Sequence, residues 1–486
     1  MSDVSAVRSW RRTLTSFHAM CAALLVAGAY AVMVPFEADG DLWWHIRTGE
    51  HLLDTGAWPR VDPFSFTAAG APWMAAEWLG DVLLALGARA GGLRGLDALT
   101  IALTALVMLA LYALGTLRSG NAKAGFMAVA IQIGFVSAFS LRPQLLGILF
   151  LVITLIVLER FRQTRSRWIW LLPPLFLVWI NTHGSWIIGL GTIGVPLVTG
   201  LVDLRIGALS TRRWTVPERN QLLVVLLLCI AMTTVTPYGL GLALYPFTVA
   251  STLPISLAYI AEWQTMPFDS GLGKMFLGTL MGFSILQVAF QYSWRIDEWL
   301  TLLFATMMAC LHVRFILLFV PFFTPLLATA LARWTSAYRE ERDNPRLNGA
   351  IIAVIAVVLV ALFPSEATLQ AAVAKKFPVK ALAFIEAHPT PGRLFNSYNF
   401  GGYLLWSGRP VFIDGRSELY EATGVLRDYA QMIGAAPNAM KALDTYGIGS
   451  CLLEPKDPLA GLLARQPEWQ HAYEDDASVL YVKRAR

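Results

Sequence analysis

Apolar runs recur from residue 17 to residue 363 of this chain, and several approach or reach the roughly 18 residues that cross a bilayer's hydrocarbon core. Candidate spans fall at 17–36, 96–116, 125–140, 144–159, 168–181, 184–202, 221–236, 274–291, 299–313, 315–333 and 349–363. In lipid a backbone must satisfy its own polar groups, so such runs fold as helices. Composition agrees: 15% of residues are charged, where soluble domains average about 25%. The expected class is an α-helical polytopic membrane protein. A net charge of +5 then reports cytoplasmic loops and does not imply a nucleic-acid partner. Cys21, Cys229 and Cys310 sit in apolar runs and Cys451 near the C-terminal end, with no metal-site or disulfide spacing.

Charge sets the topology. Stretch 73–91 is apolar but carries Glu77 and Asp81. If it does not span, the clusters Arg8/Arg11/Arg12, Arg160/Arg162/Arg165/Arg167, Arg205/Arg212/Arg213/Arg219 and Arg333/Arg339/Arg342/Arg346 share one side. The opposite side keeps scattered cations such as Arg142 and Arg314. Positive-inside counting therefore reads 73–91 as a helix lying on the membrane surface. It gives eleven spans, a cytoplasmic N-terminus and an extracytoplasmic C-terminus. The first run follows a basic segment and resembles a signal peptide, but it continues to Phe36 and reads as an uncleaved anchor.

From about residue 365 the composition becomes that of a soluble domain. The patterns predict a helix over 376–388, a strand over 392–398, a short element over 399–408 and a buried strand over 410–414. They add helices over 423–434 and 437–446 and strands over 450–454 and 478–483. The expected organisation is a membrane domain, 1–364, with an outer loop at 37–95, and a small extracytoplasmic α/β domain, 365–486.

The candidate chemistry gathers where the first run ends. Loop 37–63 holds Glu37, Asp39, Asp41, Trp43, Trp44 and His45. Carboxylates this close to a membrane are costly unless used. Asp39 and Asp41 can supply a general base for an acceptor hydroxyl, or oxygen ligands for a divalent cation. They can equally cap a helix beginning near Leu42. The tryptophans suit interface anchoring or stacking on sugar rings. His183 lies in the polar quartet Asn181–Gly184 between two spans. Arg142 and Arg314 stand at outer edges against the charge trend, where a guanidinium can grip phosphate or snorkel to headgroups. Glu77 and Glu262 are outer acids able to pair with them. In the C-terminal domain, Asp414 and Arg416 follow a strand end and suit either an acceptor surface or a salt-bridged turn.

This pattern resembles the GT-C superfamily of integral membrane glycosyltransferases: a first span, an acidic outer loop (Glu37, Asp39, Asp41), surface helices, many further spans and a C-terminal outer domain. The segments DGDLWWHIRTGEHLLDTGAWPRVDPFSFT, NTHGSW and FNSYNFGGYLLWSGRPVFIDGRSELY also look like those of a group of bacterial inner-membrane proteins regarded as glycosyltransferases. The resemblance implies inverting transfer of a sugar from a polyprenyl-phosphate carrier to a glycan, lipid or protein acceptor. Asp39 or Asp41 would be the base, and Arg142 and Arg314 would stabilise the leaving phosphate. Some family branches use a divalent metal and others do not, and the sequence leaves both open. Two further readings stand beside it. A polysaccharide polymerase or ligase would place its chemistry on Arg142 and His183. A scaffold or transporter would show ionisable residues at mid-membrane, and the spans have few.

Overall fold

The computed structural model describes residues 13–33, 39–250, 255–256 and 260–484; Glu37 lies outside them. The apolar runs become helices, including Phe17–Met33, Ala122–Ile131, Gln144–Thr164, Trp186–Thr199, Val216–Met232, Gly271–Phe290, Ile296–Leu311, Ile316–Leu331 and Pro345–Ala361. Among the described residues, four helices are long and apolar enough to cross a membrane. A fifth span results if Pro345–Ala361 and Glu366–Lys376, bent by 63°, count as one. Several other runs form helices of 10–17 residues, so helix length supports fewer spans than the eleven runs suggest.

Stretch 73–91 belongs to one long helix, Trp78–Ser119, broken at Gly91 and Gly92. Gly92 has φ +57° and ψ −139°, which a residue with a Cβ seldom adopts. The break separates an arm holding Asp81 from the second arm, which carries the apolar run beginning at residue 96.

Helix Ile316–Leu331 forms the centre of the bundle and is buried along its whole length except Thr329. Lipid tails are as apolar as leucine, so contact packing holds such helices together. Phe319 packs edge-to-face on Phe276 at 4.9 Å and stacks on Phe323 at 4.8 Å. Ion pairs tie one end of the bundle: Arg118 to Glu298 at 2.7 Å, Arg162 to Asp297 at 2.9 Å and Arg295 to Glu159 at 2.7 Å. Arg142, His183 and Arg314 lie at the other end, beside the opposite termini of the same or adjoining helices.

Beyond residue 392 a four-stranded sheet runs in the order Arg393–Asn396, Ile448–Leu453, Val479–Lys483, Trp469–Glu474. The first pair is parallel and the others antiparallel. Helices Tyr398–Trp406, Val425–Ile433 and Ala439–Thr445 surround it. The strand expected over 410–414 does not form. Phe412 donates its backbone N–H to Asn396 Oδ1, and Asn396 Nδ2 donates to the carbonyl of Ile413. One side-chain amide thus takes the partners a ladder would have supplied. A single bridge joins Val411 to Ser65. Strand Trp469–Glu474 is absent from the sequence expectation, because its burial does not alternate.

This sheet unit is not separate from the loop after the first helix. Trp43 is fully buried and meets Phe377, Tyr403 and Trp406 at ring distances of 5.5, 5.0 and 4.8 Å. A methyl on Gly402 would stand 2.2 Å from the Gly40 carbonyl oxygen. Helix Tyr398–Trp406 therefore lies directly against helix Gly40–Thr55. Gly402→Ala should destabilise the protein by about 1–3 kcal/mol through overpacking, seen as a lower midpoint of thermal unfolding in detergent. An unchanged midpoint would refute the close approach.

Candidate active site at the junction of two cavities

Helix Gly40–Thr55 begins with Asp39 as its N-cap: the Asp39 carboxylate accepts from the Asp41 N–H at 2.9 Å. Capping is thus one of its roles. The cap also aims both acids at Arg142, which sits in the turn before helix Gln144–Thr164. Arg142 Nε donates to Asp39 Oδ2 at 2.9 Å, and its other nitrogens pair with Asp41 at 3.0 Å and Glu262 at 2.8 Å. Three carboxylates from two segments share one guanidinium that is 12% exposed. Among the described residues, no three His, Cys, Asp or Glu side chains are arranged to hold a metal ion. The oxygens of Asp39, Asp41 and Glu262 converge on Arg142 instead.

Two cavities meet at this cluster. A wide cleft of about 970 Å³ is lined by Asp39, Asp41, Arg142 and Glu262 on one side. Its other side comes from the C-terminal unit, with Lys375, Asn399, Tyr429, Glu454 and Asp457. A smaller chamber of about 250 Å³ is lined by Asp41, Trp44, His45, Glu77, Arg142, His183, Glu262, Arg314 and Glu418. Asp41 borders both, whereas Asp39 borders only the cleft.

Gly415 of the C-terminal unit packs against Asp41 in the chamber wall. A Cβ there would fall 1.7 Å from Asp41 Oδ1 and 2.7 Å from Trp44 Nε1. Burial therefore drives Asp41's pKa upward to about 7; Arg142 counters the rise, while Asp39 and Glu262 add to it.

Within the chamber, His45 Nδ1 and Asp81 Oδ1 share a 2.6 Å hydrogen bond. His45 Nε2 faces Glu77 at 3.9 Å, and His183 Nε2 faces it at 3.4 Å. Burial holds both imidazoles neutral, His183 falling to about 3 and His45 well below its ordinary value. Burial also lifts Glu77 to about 8, with Arg314 opposing and Glu418 adding. The Trp44 ring stacks on His45 at 3.6 Å.

The two arginines differ in their partners. Arg142 is fully engaged by acids. Arg314 stacks over the Trp263 ring at 4.4 Å and makes no ion pair among the described residues. Its segment is fixed to that of Glu262, because His312 Nδ1–H donates to the Trp263 carbonyl at 2.6 Å.

Asp414 and Arg416 face neither cavity. Both are 0% exposed; Arg416 pairs with Asp414 at 2.7 Å and with Asp62 at 2.6 Å. Of the two sequence readings, the geometry is that of a buried ion pair in a turn, extended to Asp62 in the loop. Trp43 is likewise a packing residue. Sequence reasoning did not assign Asp81, Tyr245, Trp263, Gly415 or Glu418 to the site. Asp81 had a signal, an acid in an apolar run, and Glu418 follows Asp414 and Arg416 closely in sequence.

No protein-family model matches the sequence, and no curated protein matches it either. Solved structures do match in three dimensions. The oligosaccharyltransferase of Archaeoglobus fulgidus, tethered to an acceptor peptide, superposes with a TM-score of 0.55 at 11% identity, over 91% of this chain and 69% of that one. AglB of the same organism, with an inhibitory peptide and dolichol-phosphate, gives 0.52 at 10% identity over 92% and 69%. ArnT from Cupriavidus metallidurans in its apo state gives 0.55 at 14% identity over 98% of both chains. This chain has the fold of these proteins and is a multi-pass membrane protein.

Proposed function

We propose that this protein is a membrane glycosyltransferase that moves a sugar from a polyprenyl-phosphate carrier to an acceptor hydroxyl, with Asp41 as general base. The observation that carries this reading is the position of Asp41 at the junction of the two cavities. A donor in the chamber and an acceptor in the cleft meet at that carboxylate. The acceptor oxygen attacks the anomeric carbon, the bond from that carbon to the phosphate oxygen breaks, and the acceptor proton passes to Asp41. The sugar changes hands with inversion, and polyprenyl phosphate leaves. Charge developing on the phosphate needs a cation that is not already neutralised. Arg314 answers that need, while Arg142 holds Asp41 in place. The acceptor is a glycan, lipid or protein. The protein is placed in a bacterial inner membrane, and the charge pattern supports residues 365–486 and the site lying on the extracytoplasmic side.

The test is transfer of labelled sugar from polyprenyl-phosphate carriers in proteoliposomes. Asp41 must be ionised to act, and its raised pKa sets the sign. The rate should climb with pH between about 6 and 8, with a midpoint near 7, and level off above it. A flat profile would remove Asp41 as the base. Arg314→Ala should raise the carrier KM at least about tenfold, with Arg314→Lys recovering part of the loss. An unchanged KM would place the phosphate elsewhere.

A further inference from the structure

The smaller chamber has walls the transfer step does not use, and they constrain the donor. Its volume is about 250 Å³ against about 970 Å³ for the cleft. Small-molecule pockets run from roughly 300 to 1,000 Å³, so this chamber is at the small end. Trp44, Trp73 and Trp263 supply aromatic lining. Asp41, Glu77, Glu262 and Glu418 all line it, with only Arg142 and Arg314 as counter-ions. Arg142 is already matched by Asp39, Asp41 and Glu262.

We infer that the chamber is the donor-sugar subsite and accepts a single sugar ring bearing no acid group. The inference rests on the glycosyl-transfer reading. Room is the first argument. A second ring would have to run past Asp41 into the cleft, where the acceptor must sit.

Charge is the second argument. Arg314 is the one lining cation without an ion pair among the described residues, and the carrier phosphate takes it. A carboxylate on the sugar would join Asp41, Glu262 and Glu418 with no cation left. A buried charge of that kind is strongly disfavoured. Hydroxyls meet a better environment. Glu77 stands between His45 and His183, and behind His45 lies Asp81. The neutral imidazoles and a Glu77 that is largely protonated at neutral pH offer donors and acceptors without net charge. Glu77 thereby becomes the residue that reads the ring.

The experiment measures competition binding to the full chain in detergent. The probes are bare polyprenyl phosphate and the same lipid phosphate bearing glucose, galactose, mannose, N-acetylglucosamine, arabinose, glucuronic acid or a disaccharide. At least one neutral single-ring carrier should bind tenfold or more tighter than the bare lipid. The glucuronosyl and disaccharide carriers should show no such gain. Glu77→Ala should erase the gain while bare-lipid binding stays, and Glu77→Gln should keep part of it. An acidic or two-ring carrier gaining as much, or no neutral carrier gaining at all, would overturn the inference while bare-lipid binding kept the transfer reading standing. Failure of the bare lipid and of every carrier to bind would bring down the transfer reading and this inference with it.

Discussion

Asp41→Asn should reduce sugar transfer by about 10²–10⁴-fold, the usual worth of a positioned general base. Asparagine keeps the shape of the side chain, so expression and unfolding midpoint should hold. Asp39→Asn should cost much less, about tenfold or below, because asparagine still caps the helix and Asp39 borders only the cleft. Steady-state transfer in proteoliposomes separates the two. The reverse ranking would make Asp39 the base, and full activity in both would remove the loop acids from the chemistry.

The second large effect is on stability. Arg416→Ala leaves Asp62 and Asp414 facing each other in the interior without a counter-ion. Breaking such a pair typically costs about 3–5 kcal/mol. The Phe64 and Trp73 rings flanking the guanidinium at 5.2 and 4.7 Å would lose packing too. Thermal unfolding should shift down sharply, with the loop around Asp62 becoming sensitive to protease. Loss of transfer with an unchanged unfolding midpoint would instead indicate that Arg416 meets a ligand.

Much of the architecture was legible in the chain because hydropathy acts locally. Each apolar run fell on a helix, and most C-terminal elements fell where alternation and periodicity put them. Segment 410–414 went wrong for a nonlocal reason: its partners come from the Asn396 side chain, which no pattern of neighbours reveals. The site was half legible. Arg142 and Arg314 stood out against the charge trend, and the structure brings both to the acidic loop. Nothing in the sequence tells that Arg142 is saturated by Asp39, Asp41 and Glu262 while Arg314 has no ion pair. That distinction depends on segments more than a hundred residues apart. Trp43 and Trp44 show the same limit, since adjacent residues on a helix point apart: one enters a buried aromatic cluster, the other the chamber.

The contact of Gly415 with Asp41 has a consequence for how the protein matures. Asp41 is made early in synthesis, yet its wall comes from a unit whose sheet includes strand Val479–Lys483 between two others. The chamber cannot take its final form until that strand has left the ribosome and paired. During biogenesis the membrane helices would thus be inserted around an incomplete chamber, whose last wall arrives with the C-terminal sheet.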